Sequence, residues 1–493
     1  MGRWIVVVAA GALLAVQPAA AQTPPAASPS QPALQLMLQK GVITQAEYDA
    51  ALKQSAEAVI QKDTTVVVKE TPRIDAPPVT SKWTASMYGF IEADFIYDST
   101  QSFNDAAGNT IVQANGYAAK NHRLQFSIRN TRLGFRFGAP EWGSVRSSAV
   151  LEMDFYGNQP ANPPTLAEGS FFNSPGFRIR HAYLKLETPI VDLLFGQTWE
   201  LFGWQTYFHP NSVQVQGLPG QAFARTVQAR VSKTIRTEPV TVDVAVAASR
   251  PPQRDAYVPD FQGGVRIAVN GWKAITTAGS AVTSILPAAL GVSGTWRRFQ
   301  VEEPTAALGN PGASAVTTGW GYSVDLLLPI VPVRSGDRGN GLTLTASFVN
   351  GAGISDLFTS LSGGLGGAAS TPGLTPVSGY VPAVDAGLVM FGTDGSLNAI
   401  RWRAFIVGLQ YYLPPSGRVW VSVNYSDMYS SNIAGYANPA SVFERSHFAD
   451  ANVFWDATNA VRLGLEYAWF RQYRANGDAA TDHRVQLSTF FLF

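Results

Sequence analysis

The sequence predicts an all-β fold: a 16-stranded antiparallel transmembrane β-barrel behind a short N-terminal helical segment. Three observations predict it. From Thr84 to Phe493, helical periodicity gives way to alternating apolar and polar residues, the pattern of strands with two unlike faces. The connections between these strands alternate long and short, as when loops crowd one rim of a barrel and tight turns the other. Only 14% of the 493 residues are charged, against ~25% in ordinary soluble domains. A wall that meets lipid must be poor in charge, and 12 Trp, 17 Tyr and 27 Phe can furnish its aromatic belts. Lys+Arg number 36 against 35 Asp+Glu, and Cys is absent. This balance argues against a disordered chain, a basic nucleic-acid binder, a disulfide scaffold and a thiolate metal site.

The first element is an address. Arg3, the apolar run Trp4 to Val16 and Ala19-Ala20-Ala21 read as a signal peptide over 1–21, cut after Ala21. Thirteen apolar residues are too few for ~30 Å of hydrocarbon, and no later stretch reaches ~18. Residues 22–82 read as a periplasmic segment. A Pro/Ala/Ser-rich leader comes first, then a helical part, then a stiff linker with Pro72, Pro77 and Pro78. Thr44-Gln45-Ala46-Glu47 is a capping box opening a helix to about Gln61. Such a helix is marginal alone, so it is either a lone solvated helix or a self-association element.

The barrel occupies 83–493. Its strands are read at 84–98, 123–137, 144–156, 177–187, 192–200, 225–233, 240–248, 262–271, 289–301, 320–330, 341–350, 399–413, 418–429, 447–455, 461–474 and 482–493. An even count leaves both ends on the short-turn, periplasmic side. Residues 272–288 are long for such a turn, so boundaries are loose there and around 351–398. A soluble all-β array fits the strands but would carry more surface charge.

The last strands show the two faces. Val485, Leu487, Thr489, Phe491 and Phe493 alternate with Arg484, Gln486 and Ser488. The terminal aromatic, with Phe491 before it, resembles the assembly signal of outer-membrane proteins. Tyr88, Tyr97, Tyr411, Tyr412, Tyr425, Trp469 and Tyr473 are assigned to the girdles. Sixteen strands leave room for an aqueous channel.

The few charges then matter. Alternation turns Glu92 and Asp94 inward on the first strand and Arg123 and Arg129 on the second. A bulge near Asn130 returns Arg132 and Arg136 to the inner face. Arg146, Glu152 and Asp154 face in on the third strand, and Arg178 and Arg180 on the fourth, whose phase is ambiguous. Residues 84–493 hold 25 Arg and 4 Lys. Arg grips carboxylate or phosphate with a rigid fork, and charged rings set pore selectivity. These groups brace the wall, or brace it and steer a solute. The loop Leu201 to Ala224 is aromatic and nearly uncharged. It is expected to fold inward as a constriction, with Trp204, Tyr207, His209 and Gln214 as its candidate residues.

Several segments together resemble the DcaP-like and phosphate-selective outer-membrane porins. They are Tyr88-Gly-Phe-Ile-Glu-Ala-Asp-Phe-Ile-Tyr-Asp98, Arg132-Leu-Gly-Phe, Arg180-His-Ala-Tyr, Gly196-Gln-Thr-Trp199, the basic strand Arg225 to Arg230 and Lys40-Gly-Val-Ile-Thr-Gln-Ala-Glu-Tyr48. The resemblance implies a homotrimer of barrels in the bacterial outer membrane, passive uptake of small anions, and an N-terminal trimeric coiled coil. Four Lys in the barrel favour dicarboxylate-like solutes over phosphate or polyphosphate, which stays the alternative, with a structural or adhesive barrel behind it. No G-x-S-x-G, H-E-x-x-H or Walker-type loop occurs. The sequence therefore predicts no enzyme, no cofactor, no metal site and no nucleic-acid partner. Its partners are small anionic solutes and outer-membrane lipid.

Overall fold

The computed structural model describes residues 40, 44, 47, 83–105, 111–157, 176–215, 217–253, 256–277, 282–303, 313–333, 338–365, 384–436 and 442–493. The expected signal peptide, most of the helix and the linker lie outside these residues. Residues 1–66 and 67–493 form separate units. In the first, the Glu47 backbone N–H donates to Thr44 Oγ1 at 3.3 Å, and the Thr44 N–H donates to Glu47 Oε2 at 2.8 Å. Both bonds of the capping box are present, and the Thr44 donors hold the Glu47 carboxyl below its ordinary pKa.

The second unit is a closed barrel of 16 antiparallel strands. They are β1 Thr84–Asp98, β2 Arg123–Ser127 resumed at Arg132–Gly138, β3 Arg146–Asp154, β4 Arg178–Glu187, β5 Asp192–Trp199, β6 Arg225–Arg236, β7 Val240–Ser249 and β8 Asp260–Thr276. There follow β9 Ser284–Glu302, β10 Ser314–Val331, β11 Leu342–Ala352, β12 Arg401–Tyr412, β13 Val419–Ser430, β14 Phe443–Asp456, β15 Val461–Arg474 and β16 Ala479–Leu492. β1 closes on β16, with Phe90 opposite Leu492 and Asp98 opposite Arg484. Closure leaves no free sheet edge, the condition for strands in a bilayer.

The alternation predicts the faces correctly on most strands. Val485, Leu487 and Phe491 are exposed outward, while Arg484, Gln486 and Ser488 are fully buried inward. The expected bulge in β2 is real. Four residues, 128–131, oppose three on β1, and Thr131 Oγ1 accepts the Glu92 N–H at 3.0 Å. The ambiguous phase of β4 is a second bulge. The register against β3 shifts between Glu152 and Met153, so Arg178 and Arg180 face in before it and Tyr183 and Lys185 face in after it.

Two girdle assignments fail. Tyr88 and Tyr412 occupy inward positions, Tyr88 donating to Glu152 Oε2 at 2.9 Å and Tyr412 stacking on Trp420 inside. Each lies one residue out of phase with the outward set. Gly134 makes room for the inward Tyr88 ring, which a Cβ there would meet at 2.3 Å.

Of residues 272–288, 272–276 and 284–288 are strand, not loop. β8 and β9 continue past the expected boundary, with a register shift between Pro287 and Ala288. The end of this hairpin turns into the barrel. Ile275 is fully buried against Val213, Tyr412, Trp420 and Phe454, and Thr343 Oγ1 donates to the Ile275 carbonyl at 2.6 Å. The unusual length at this turn is thus a flap across part of the short-turn mouth.

Candidate functional site

The lumen is shaped by the loop between β5 and β6. Its first arm is tied to β8 and β9. The Leu201 and Phe202 N–H groups donate to Gln262 Oε1, and the Gly203 N–H donates to Ser293 Oγ. Its tip reaches the opposite wall. The Val213 and Gln214 N–H groups donate to Glu466 Oε2 on β15, at 2.6 and 2.7 Å. Asn424 Nδ2 on β13 donates to the Asn211 carbonyl at 2.6 Å. The return arm pairs with the loop between β11 and β12, Phe223 N–H to Leu357 O at 2.8 Å and Thr359 N–H to Gln221 O at 2.7 Å. Gly220, at φ 84, presses against β12, where a Cβ would stand 2.8 Å from the Ala404 Cβ. The inward fold expected of this segment is therefore observed.

An apolar core fills the space the two loops enclose: Phe202, Ile354, Leu357, Phe358, Trp402 and Met428 are all buried. The loop after β1 adds Phe103, packed on Phe448 and Phe470. With the β8–β9 flap below, the lumen beside β12–β16 is closed by side chains.

Open space remains beside β3–β8. A cavity of about 610 Å³ lies at the short-turn rim, lined by Arg146, Lys185, Lys233, Arg236 and Arg266 with Glu187, Asp192 and Asp243. A second, of about 270 Å³, includes Arg230, Glu200 and Trp204. The two share Lys185, Asp192, Tyr207, Thr234 and Asp243, so they are continuous. Their walls carry six cations and four carboxylates. Four ion pairs sit within them: Arg266 with Asp243, Lys185 with Glu187 and Asp192 at 2.8 and 3.1 Å, and Arg146 with Glu187 at 3.6 Å. The Arg266 guanidinium also lies over the Tyr207 ring, 3.7 Å from its centroid.

Toward the long-loop rim the sequence-derived cluster appears as a bonded network. Arg180 donates to Glu152 at 2.7 Å and to Asp154 at 3.0 Å, and Arg178 grips Asp154 with two bonds of 3.0 and 2.6 Å. Arg132 stands 3.5 Å from Glu152. Arg225 stacks over Trp199 at 4.4 Å. Four guanidinium groups here meet two carboxylates, so charge remains in excess after pairing. Truncating Arg180 to alanine is expected to cost about 3–5 kcal/mol, because two buried carboxylates lose their shared partner. Denaturant unfolding of the detergent-solubilised barrel measures this, and Arg180→Lys should recover only part, lacking the fork.

Other expected site residues are placed differently. Glu92 and Asp94 face inward but are 0% and 1% exposed, so no solute meets them. Burial by the packed interior overrides the alternation argument there. Glu92 accepts from Asn130 at 2.7 Å, and Asp94 from Gln486 at 3.1 Å. Arg123 and Arg129 hold the loop after β1 through the Phe103 carbonyl and Asp105. Arg136 is exposed and stacks on Tyr88 at 3.6 Å. In the inward loop only Tyr207 borders both cavities. Trp204 borders the smaller one and donates to the Val292 carbonyl, and Gln214 is buried at the tip. His209 donates from Nδ1 to the Pro210 carbonyl and packs on Phe223, a structural placement. Phe491 and Phe493 lie outward at the seam, where Phe493 and Gly89 exchange backbone bonds. The sequence did not single out Lys185, Arg230, Arg266 or the loop anchor Glu466 as site residues. Their inward phase was readable on β15 only. Among the described residues, no group of three or more His, Asp or Glu is arranged to hold a metal ion.

The barrel is similar to the crystal structure of the outer membrane channel DcaP of Acinetobacter baumannii, with a TM-score of 0.57 and 18% identity over 83% of this chain and 97% of that one. An anion-selective porin from Comamonas acidovorans aligns at 0.46 and 10% identity, over 84% and 100%. OprB of Pseudomonas putida aligns at 0.44 and 13% identity, over 82% and 94%. No family model and no curated protein matches the chain. The fold is that of a porin-type outer-membrane channel.

Proposed function

We propose that this barrel, with a porin-type fold, is an outer-membrane diffusion channel for small anionic solutes, dicarboxylate-like in chemistry. One observation carries the reading. The inward loop and the flap close the β12–β16 side, and what stays open is the side where Arg and Lys outnumber carboxylates. A solute passing there meets Arg178 and Arg225, braced by the buried Arg180 and by Arg132, then Arg230, Lys185 and Arg266, then Arg146 and Arg236. Pairing with Glu152, Asp154 and Asp243 fixes the forks in place, and the excess charge lowers the barrier for an anion. Two carboxylates of one solute can engage successive forks, as rigid bidentate donors allow. No energy source is needed.

Planar-bilayer recording tests this. Reversal potentials in a salt gradient should show anion preference, and a panel of mono- and dicarboxylates with phosphate should rank the solutes. A phosphate block stronger than any dicarboxylate would move the assignment to the phosphate-selective alternative. A cation-preferring or silent barrel would refute it.

Three copies per assembly and a periplasmic N-terminal helix belong to the same proposal. Deleting residues 22–81 is expected to leave conductance per pore unchanged while trimers dissociate at lower temperature. The check is the heat dependence of oligomer mobility on a semi-native gel.

A further inference from the structure

Most of the barrel's outer face is apolar, but its chemistry changes along one arc of the long-loop rim. On β12–β15, Arg403 stands opposite Tyr429, Tyr429 opposite Arg445, and Arg445 opposite Tyr473. One outward pair lower, Asp427 stands opposite His447, and His447 opposite Arg471. These positions share the outward phase of Val423, Val453, Leu465 and Tyr467, which are exposed. The arc is therefore part of the surface that meets lipid.

Its height is fixed by the strands. From Trp455 at the short-turn end of β14 to Arg445 is roughly ten residues, or ~33 Å along the strand. At the usual tilt that is ~25 Å of height, the extent of the apolar band of such barrels. Arg445 thus lies at the band's outer edge. Just beneath runs a polar aromatic row, with Tyr425 OH 3.0 Å from His447 Nδ1 and Tyr467 OH 2.7 Å from His483 Nδ1. Such rings mark the interface with headgroups.

The charges at that depth are unequal. Arg445 is held by Asp427 through two bonds of 2.9 Å. Arg403 stacks near Tyr429 at 5.4 Å, and Arg471 donates from Nε to Tyr473 OH at 2.8 Å. Among the described residues, neither Arg403 nor Arg471 forms an ion pair. Arg401 is exposed beside them, and Glu444 lies at the register shift before Arg445. Guanidinium groups at the edge of hydrocarbon, braced by aromatics and short of carboxylates, match an anion delivered by the membrane itself. Their planar forks fit phosphate.

We propose that this arc docks a phosphorylated lipid headgroup of the outer leaflet, with Arg403 and Arg471 as the phosphate forks and Arg445, set by Asp427, between them. The proposal rests on the reading of the chain as an outer-membrane barrel with its long loops outside. It concerns the outer wall and is independent of what crosses the lumen.

The test uses the full chain in detergent and native mass spectrometry. The probes are lipid A bearing two phosphates, the same lipid with both removed, and inorganic phosphate. The wild-type protein should retain the phosphorylated lipid about tenfold or more over the dephosphorylated one. The double variant Arg403→Gln/Arg471→Gln should lose that preference. Both side chains project outward without buried partners, so unchanged conductance in planar bilayers verifies the variant's fold. A variant that keeps the preference overturns the proposal. Displacement of the lipid by equimolar inorganic phosphate overturns the lipid assignment in favour of a free-anion site. Retained preference with dissociated oligomers would make the arc a protein contact instead. A wild-type chain that retains the lipid but conducts nothing would refute the channel reading and leave this one standing.

Discussion

Replacing Glu466 with alanine is expected to raise the conductance of a single pore. Glu466 Oε2 accepts two backbone N–H groups, from Val213 and Gln214, at the tip of the loop that crosses the lumen. Hydrogen bonds to a carboxylate contribute about 1.5–3 kcal/mol each, and the alanine variant leaves two buried donors without that acceptor. The Val213 N–H keeps Asn452 Oδ1 as an acceptor, and Asn424 and Ser422 still donate to the Asn211 carbonyl, so the tip loosens at the β15 side rather than leaving the wall. Glu466→Gln retains a carbonyl acceptor and should stay close to wild type. Single-channel recording decides between them. Equal conductance in all three proteins would mean that the asparagine contacts alone hold the constriction.

The second large effect concerns charge. Neutralising Lys185, Arg230 and Arg266 together, each to Gln, leaves three cations against four carboxylates on the walls of the open cavities. The field should change sign there. A unit charge a few ångström from an ion contributes about 1 kcal/mol even in water-like surroundings, so three removals should lower the anion-to-cation permeability ratio about tenfold or more. Reversal potentials in a salt gradient measure it. The comparison variant neutralises Arg129 and Arg132, which are paired with Asp105 and Glu152. It should cost stability more than selectivity. Selectivity lost only in the comparison variant would place the filter near the long-loop rim.

These two variants also mark where sequence reasoning reached its limit. The strand faces were legible because period-2 alternation is a local property. It places Glu152 and Asp154 on the inner side and leaves the phase of Arg178 and Arg180 ambiguous; all four form one network. It found the β2 bulge from a slip of one residue. It could not separate inward-facing from solvent-facing, so Glu92 and Asp94 were grouped with the pore though the interior covers them. Tyr88 and Tyr412 have the residue type of the girdles but the inward phase, and phase decides the face. The length of 272–288 shows in the sequence but its cause does not, because the partners of Ile275 lie on β12–β14 and on the inward loop.

The sequence by itself determined the barrel, its closed even strand set and the inward phase of most of its charged residues. Those follow from alternation, turn chemistry and residue type, all read within a strand or between neighbours. Which half of the lumen stays open was decided only in three dimensions. The loop tip at Val213 meets Glu466 across 253 residues of chain, and the flap meets the same wall from below. Both contacts depend on how a closed sheet brings β5, β8 and β15 around one axis. No local pattern encodes that meeting, yet it leaves the side rich in Arg and Lys facing water.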